Sequence, residues 1–150
     1  MFGPFETERL FIRTLKDEDV GYLYAYRSQD KVAKYQSWDH YTISDAKMLV
    51  RYQKIKPFDC RIGNTNIGVE LKEEHRLIGD VFIGARLRRP KEVSIGYTFD
   101  PKYWHHGYAR EAVEKVIEIL YTDYHKSIFN AYVYPQNSAS IRLLESLWFQ

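Results

Sequence analysis

The sequence predicts an α+β (or mixed α/β) domain in which helices flank a central mixed β-sheet. Apolar residues change their spacing along the chain in the order β-α-α-β-β-β-α-β-α. The three central strands follow one another across short polar turns, which is typical of an antiparallel meander. The length of 150 residues fits one domain, and no linker, repeat or low-complexity tract divides it. We therefore expect a single domain over residues 1–150.

The first third of the chain is predicted to hold one strand and two helices. Residues 10–12 are apolar between two arginines and predict a short strand. Acidic residues at 17–19 predict the start of a helix, because acids favour a first helical turn. Thr42 and Asp45 resemble a capping box, with Asp45 in place of the usual Glu. A second helix follows them and ends before Pro57.

The meander and the second half of the chain follow the same logic. Strand-like apolar runs cover residues 67–71, 77–85 and 93–99. The clearest helix begins at Gly107, and its apolar face comprises Ala109, Ala112, Val113, Val116, Ile117 and Leu120, while Glu111 and Glu114 fall on other faces. A strand at 128–134 comes next, and Asn137 or Ser138 caps a last helix.

Composition excludes several classes of protein. Twenty-two Lys and Arg residues against 20 Asp and Glu leave a formal charge of +2, which argues against a dedicated nucleic-acid binder. Cys60 is the only cysteine, so the chain has no internal disulfide and no cysteine-based metal site. No apolar run approaches the roughly 18 residues of a membrane span, and no signal-peptide core precedes the charged N-terminal residues. We therefore expect a cytoplasmic protein without membrane or nucleic-acid partners.

The segment from Phe99 to Ala112 is the candidate binding site. A strand ends at Phe99, Pro101 breaks it, and a loop enters the long helix through Gly107. The first N–H groups of a helix have no acceptor within it and lie at the positive end of its dipole. Glycine lets a ligand approach the backbone there, so the junction suits a phosphate or pyrophosphate. The alternative is a glycine-bearing connection with no ligand.

His105 and His106 stand directly before this glycine. Two adjacent loop histidines rarely point at one ion, and the sequence offers no evident third ligand. We therefore expect no metal, and predict that the backbone of both residues contacts phosphate while their rings are solvated.

Four motifs, taken in order, carry a family resemblance. They are Glu8-Arg9-Leu10-x-Ile12-Arg13, Trp104-x-x-Gly107-x-Ala109, Gly107-Tyr108-Ala109-Arg110-Glu111-Ala112 and Asn137-x-x-Ser140-x-x-Leu143-Leu144-Glu145. The second resembles the Q/R-x-x-G-x-G/A signature of GNAT N-acetyltransferases, with Trp104 in the Q/R position. The Trp-led loop is nearest the branch that acetylates the N-termini of ribosomal proteins. The match covers nearly the whole chain.

The resemblance implies a fold, a co-substrate and a set of binding residues. The fold is the GNAT acyltransferase fold, and the co-substrate is acetyl-CoA. The strand at Tyr97, Thr98 and Phe99 pairs its backbone with the pantetheine arm. The amides of His105, His106, Gly107, Tyr108 and Ala109 hold the pyrophosphate, and Asn137 and Ser140 lie beside the pantetheine and the sulfur. The acetyl group passes directly from the thioester to a primary amine, which is the N-terminal amine of a protein or a small-molecule amine.

The catalytic residues are less clearly marked. Relatives often carry Glu where this chain has Ser94, so Glu70, Glu92 and Asp100 remain candidate bases acting through water, or else solvated surface acids. An α-amine needs little base catalysis, since about 10% of it is neutral at pH 7. Many relatives carry a Tyr at the position of Leu144, which leaves Ser140 as the nearest hydroxyl. We predict Ser140 and Glu70 as the catalytic residues.

The resemblance is weaker at the C-terminus, where the chain stops at residues 147–150. The family usually continues into a closing β-hairpin, so the last strands are expected to be missing and the strand at 128–134 to have an open edge. Three explanations for the missing strands remain open. The sequence is truncated, a partner such as a second copy covers the open edge, or the gene is a decayed copy. The alternative function is a non-catalytic acyl-CoA-binding or interaction module with the same fold.

Overall fold

A computed structural model of the protein describes residues 3–33 and 40–131. The strands are β1 (Phe5–Glu6), β2 (Leu10–Thr14), β3 (Gly63–Leu71), β4 (Arg76–Ala85), β5 (Glu92–Phe99) and β6 (Ile128–Ala131). The helices are α1 (Val20–Arg27), α2 (Asp30–Ala33), α3 (Ile43–Ile55) and α4 (Tyr108–Tyr124), and short 3₁₀ turns lie at Asp17–Asp19 and Pro101–Tyr103.

The described strands form one mixed six-stranded sheet in the order β1-β2-β3-β4-β5-β6. Neighbours from β1 to β5 are antiparallel, which confirms the predicted meander, whereas β5 and β6 are parallel because α4 carries the chain back across the sheet. The α+β class with a mixed sheet is therefore confirmed.

Two apolar clusters cover the two faces of the sheet. On one face, side chains of α4 such as Ala112, Val113 and Val116 pack on Val93 and Ile95 of β5. On the other face, Leu23 of α1 and Val50 of α3 pack with Leu15, Tyr26, Tyr41, Ala46 and Leu77. Alternate residues of each strand point to opposite faces, so the same sheet packs against α4 on one face and against α1 and α3 on the other.

The local start and stop signals behave as the sequence indicates, with two additions. The capping box of Thr42 and Asp45 is present at the start of α3, with reciprocal hydrogen bonds of 2.9 and 3.1 Å. The acidic residues at 17–19 form a 3₁₀ turn, and the α-helix itself begins at Val20. Strand β1 and helix α2 span two and four residues, which is too few for a periodic pattern, so the sequence does not predict them.

Several predictions fall on residues outside the described ranges. They concern the end of the strand predicted at 128–134, the last helix, and the site residues Asn137 and Ser140. Within the described ranges, no helix has both the length and the apolar character that a membrane crossing requires.

Candidate active site

The connection from β5 to α4 is folded tightly against the end of its strand. The Asp100 side chain accepts from the backbone N–H of Lys102 at 3.1 Å and so caps the 3₁₀ turn. The indole Nε1–H of Trp104 donates to the carbonyl of Phe99 at 2.9 Å. Tyr103 donates to Glu74 at 2.6 Å, and burial together with that bond raises the pKa of Tyr103 to about 12. The turn therefore has a fixed shape at neutral pH.

Two residues with left-handed backbone shape the last part of this loop. Gly107 is the N-cap of α4 at φ 82°, and His105 has φ 65°. A side chain at position 107 would be strained at this φ, and its Cβ would lie 3.3 Å from Nη2 of Arg9. His105 adopts the same region without being glycine, although histidine is one of the residue types that enter it more readily. The loop therefore needs glycine at 107 and tolerates histidine at 105.

The start of α4 presents unpaired backbone donors. The first helical hydrogen bond runs from the N–H of Glu111 to the carbonyl of Gly107 at 3.1 Å. The N–H groups of Tyr108, Ala109 and Arg110 precede that bond, and within residues 3–33 and 40–131 they have no acceptor. They lie at the positive end of a 17-residue helix, where an anion is stabilised.

The edge of β5 offers a second row of backbone groups beside this helix start. Strand β5 pairs with β4 along its length, but in the described part of the chain β6 reaches only from Glu92 to Ile95. No described strand covers the same edge from Gly96 to Phe99. Thr98 and Phe99 are buried, so their backbone rather than their side chains is suited to a ligand. A ligand with an extended polar arm could pair with the edge of β5, and a phosphate at the end of that arm would then reach the start of α4.

The first strand region holds a cluster that the sequence does not reveal, formed by Thr7, Arg9 and Glu111. Arg9 Nε donates to Glu111 Oε1 at 2.8 Å, and its Nη1 donates to the carbonyl of His106 at 2.9 Å. The Thr7 hydroxyl and the Arg9 backbone N–H donate to the other Glu111 oxygen. The guanidinium also lies 4.4 Å from the centre of the Tyr108 ring. The N-terminal segment is thereby tied to the first turn of α4.

The electrostatics of this cluster favour an ionised Glu111. Burial is the largest single influence and raises its pKa, but the hydrogen bonds from Thr7 and Arg9 together outweigh burial, so the pKa is lowered. In the sequence, Arg9 flanks a strand and Glu111 lies off the apolar helix face, and both fall within motifs of the family resemblance, but nothing there indicates that they touch. A contact between residues 102 positions apart leaves no periodic signal.

A buried polar cluster fixes α1 to the sheet beside Thr98. Asp80, the register partner of Thr98, is 1% exposed. It accepts from Arg27 Nη2 at 2.6 Å, from Asn66 at 3.0 Å and from the hydroxyl of Tyr26. Burial, and then the charge of Asp80, raise the pKa of Tyr26 well above its ordinary value. Tyr26 therefore stays protonated and serves as a donor.

The candidate bases lie in three different places. Glu70 lies on β3, with β4 between it and β5, and accepts from Arg13 Nε at 2.8 Å. Arg13 is also paired with Asp19, at 2.8 Å, so Glu70 belongs to an ion cluster at the start of α1. Glu92 accepts from Asn130 and from Arg89, and Asp100 caps the turn described above. The structure does not bring Glu70 to the β5–α4 junction.

The predicted binding residues within the described ranges do come together. They are Tyr97, Thr98, Phe99, His105, His106, Gly107, Tyr108 and Ala109, all on the end of β5, the loop or the first turn of α4. His105 and His106 are exposed, and the His106 ring stacks on the ring of Tyr108 with its Nδ1 2.7 Å from the carbonyl of Trp104. Among the described residues, no three His, Cys, Asp or Glu side chains are grouped as a metal ion would require.

In the described residues, the mixed sheet has an uncovered strand edge beside a helix start that favours anions, an arrangement suited to an extended, phosphate-bearing ligand. One protein family, described as "Acetyltransferase (GNAT) domain", matches residues 9–150. The N-acetyltransferase p20 of Bacillus licheniformis is 32% identical over 145 residues, covering 96% of this chain and 80% of its own length. The N-acetyltransferase YoaA of Bacillus subtilis is 29% identical, covering all of this chain and 84% of its own.

Solved structures share the fold. A GNAT-family acetyltransferase from Bacillus anthracis has a TM-score of 0.86 at 26% identity, covering 97% of this chain and 82% of its own. A ribosomal-protein-S5-alanine acetyltransferase from Vibrio fischeri has a TM-score of 0.75 at 23% identity, covering 97% and 82%. Spermidine N-acetyltransferase from Vibrio cholerae, in complex with CoA and spermine, has a TM-score of 0.78 at 15% identity, covering 93% and 80%. The last two likenesses concern the fold alone.

The chain belongs to the GNAT acetyltransferase family, since the family match spans nearly all of it. It is an acetyl-CoA-dependent N-acetyltransferase, which transfers an acetyl group to an amine. The backbone donors at the start of α4, and the part of the β5 edge that no described strand covers, fit the pyrophosphate and the pantetheine arm of that co-substrate.

Proposed function

We propose that the acceptor is a primary amine that is already partly neutral at physiological pH: the N-terminal α-amine of a protein or peptide, or a small-molecule amine of similar pKa. Ser94 is the observation that carries this proposal. The family resemblance implies a glutamate at this position of the strand, and a serine hydroxyl is no base at neutral pH.

The surroundings of Ser94 support the same choice. Val93 and Ile95 point towards α4, so Ser94 points to the opposite face of the sheet. Its register partners are Gly84 on β4 and Asn130 on β6, and neither carries a charge. Glu92 lies two residues away on the same face but already accepts from Arg89 and Asn130. The described part of this face thus offers no unengaged carboxylate beside Ser94.

The ionisation of the acceptor decides how much base catalysis is needed. An α-amine with a pKa of about 7.7–8.0 is roughly 10% neutral at pH 7, while a lysine side chain with a pKa of about 10.4 is neutral in fewer than about one molecule in a thousand. A site with a weak base therefore loses little rate with an α-amine and much more with a lysine. This difference favours the N-terminal amine as the acceptor.

The chain's own residues have distinct roles in this proposal. Acetyl-CoA supplies the activated acyl group as a thioester. The backbone of Tyr97–Phe99 aligns the pantetheine arm, and the amides from His105 to Ala109 hold the pyrophosphate. We assign Asn137 and Ser140 to the far end of the arm, where the Ser140 hydroxyl relays to the departing thiolate, through water, the proton that the attacking amine gives up. Glu70 remains the predicted base acting through water, although the structure places it in an ion cluster.

The test is a thiol-release assay over a panel of amines. The panel contains peptides with free Ala or Ser N-termini, the same peptides N-acetylated but with a free lysine, polyamines and aminoglycosides. We expect release with the free N-terminal peptides, with kcat/KM rising with pH as the α-amine loses its proton. Faster release with the blocked, lysine-bearing peptides would overturn the proposed acceptor. No release with any amine, despite CoA binding, would favour the non-catalytic alternative.

The same assay separates the two predicted catalytic residues. Ser140→Ala and Glu70→Gln should both lower kcat if both residues act in the chemical step, and Glu70→Gln should leave the KM for acetyl-CoA unchanged. An unchanged kcat for folded Glu70→Gln would assign Glu70 to the ion cluster of Arg13 alone. The cytoplasmic location, the kinship to the ribosomal-protein branch and a homodimer that covers the sheet edge stay predictions.

A further inference from the structure

We propose that Arg9 is a residue of the coenzyme site, which supplies the positive charge for the pyrophosphate and fixes the loop that holds it. This inference rests on the binding of acetyl-CoA at the β5–α4 junction. It adds a residue that lies outside the loop motif and about 100 positions before it in the sequence.

The first argument is the side chain that stands in the loop itself. The resembled signature begins with Gln or Arg, whereas this chain has Trp104. The indole Nε1–H of Trp104 donates to the carbonyl of Phe99 at 2.9 Å, so its only donor is used within the protein. The loop therefore lacks the polar side chain that the signature would supply at this position.

The second argument is the position of the Arg9 guanidinium. Its Nη2 lies 3.3 Å from the point where a Cβ on Gly107 would be. Nε and Nη1 are engaged by Glu111 and by the carbonyl of His106, but Nη2 has no hydrogen-bond partner in residues 3–33 and 40–131. Two of the three guanidinium nitrogens are thus held by the protein, and the third lies against the start of α4.

The third argument is that Arg9 is built into its place. Glu111 accepts from both the side chain and the backbone N–H of Arg9, and Thr7 completes the bonds to that carboxylate. The bond from Nη1 to the carbonyl of His106 fixes the peptide between the left-handed residues 105 and 107. Other nearby cations are differently placed: Arg110 is directed to Glu114 at 3.8 Å, and Lys102 lies over the ring of Tyr103.

The experiment measures the affinity of four proteins for two ligands by isothermal titration. The proteins are wild type, Arg9→Gln, Arg9→Lys and Arg61→Gln. The ligands are CoA and dephospho-CoA, which lacks the 3′-phosphate but keeps the pyrophosphate. We expect Arg9→Gln to weaken the binding of both ligands about tenfold or more, the usual effect of losing one charge-assisted hydrogen bond. Arg9→Lys should retain part of the affinity, because it keeps the charge without the planar fork.

The matched control is Arg61→Gln, which removes the same charge from an exposed arginine paired with Asp59. It should leave both affinities unchanged. A second readout is the salt dependence of CoA binding, which should be less steep in Arg9→Gln than in wild type, because one cation–phosphate contact is lost. A third is S-acetylpantetheine as acetyl donor, whose kcat/KM should be the same in both proteins, since it carries no phosphate.

Each outcome bears on one proposal only. Equal CoA affinity in wild type and folded Arg9→Gln would overturn the role of Arg9. A loss confined to CoA, with dephospho-CoA unaffected, would move the contact to the 3′-phosphate and overturn the pyrophosphate assignment. A loss with S-acetylpantetheine as large as with acetyl-CoA would reduce Arg9 to a purely structural residue. Failure of wild type to bind CoA would instead contradict the proposed function.

Discussion

Gly107 is the residue on which the geometry of the coenzyme loop depends most directly. Its φ is 82°, a conformation in which a side chain is strained, and a Cβ at this position would lie 3.3 Å from Arg9 Nη2, which would have to shift. We expect Gly107→Val to weaken CoA binding at least tenfold, because the turn must shift or Arg9 must move away. Isothermal titration with CoA measures the effect.

Gly63 provides the matched control for this substitution. It also has a positive φ, 102°, but nothing lies within 4 Å of its Cβ position, and it stands at the start of β3. Gly63→Val and Gly107→Val should each lower the free energy of unfolding by about 1–2 kcal/mol, the cost of a left-handed side chain. Only the substitution at 107 should affect CoA affinity. Unchanged affinity in a folded Gly107→Val would remove the loop from the coenzyme site.

Helix α4 depends at its first turn on the ionised carboxylate of Glu111. Because hydrogen bonds from Thr7 and Arg9 lower the pKa of Glu111 in the folded protein, its contribution to stability is complete above the ordinary value of 4.5. That contribution is lost as the pH falls from there through the lowered pKa of the folded state. Wild type should thus be clearly more stable than Glu111→Gln at pH 7, and the difference should shrink towards pH 3.

Urea unfolding at pH 7, 5 and 3 measures this convergence. Glu114→Gln, which changes an exposed residue of the same helix, should differ little from wild type at every pH. A constant difference between wild type and Glu111→Gln across the pH series would show that the substitution acts through packing and not through the charge.

At the level of elements, the sequence predicts helices and strands well where the pattern of apolar residues extends over many positions. The stripe of α4, the capping box of α3 and the three meander strands are each specified by residues close together in the chain. Strand β1 and helix α2 are too short to show a pattern, and they form because neighbouring elements hold them. The run from Leu77 to Ala85 predicts a strand correctly, but nothing local indicates that Asp80 within it is buried in an ion pair with Arg27 of α1.

In the candidate site, too, features set by neighbouring residues can be predicted from the sequence, and contacts between distant residues cannot. The loop from His105 to Ala109 is recognisable because the function proposed for it depends on backbone groups, and glycine and small residues mark such backbone in a sequence. Arg9 and Glu111 form their contact across 102 positions, so only the folded sheet brings them together. In the sequence Glu70 is a free acid on a strand, and its pairing with Arg13 becomes visible only when β2 is placed beside β3.

At the scale of the whole molecule, the cluster around Asp80 joins helix α1 to the sheet. Asp80→Ala would leave Arg27, whose side chain is 8% exposed, without its carboxylate. Breaking one partner of a buried pair costs about 3–5 kcal/mol, so we expect a loss of stability in this range by urea unfolding. Asp59→Ala, at the exposed pair with Arg61, is the control and should change stability little. A comparably small change in Asp80→Ala would contradict the structural role of the cluster.

The bonds from Thr7 and Arg9 to Glu111 also connect the order of folding to ligand binding. Closing a loop of about 100 residues costs entropy that local helix formation does not, so α4 can form before the N-terminal segment docks on it. Until that docking occurs, the carbonyl of His106 lacks its hydrogen bond from Arg9, and the proposed pyrophosphate site lacks the Arg9 guanidinium. Tight coenzyme binding should therefore arise late in refolding. Its appearance would show that the N-terminal segment has docked on helix α4.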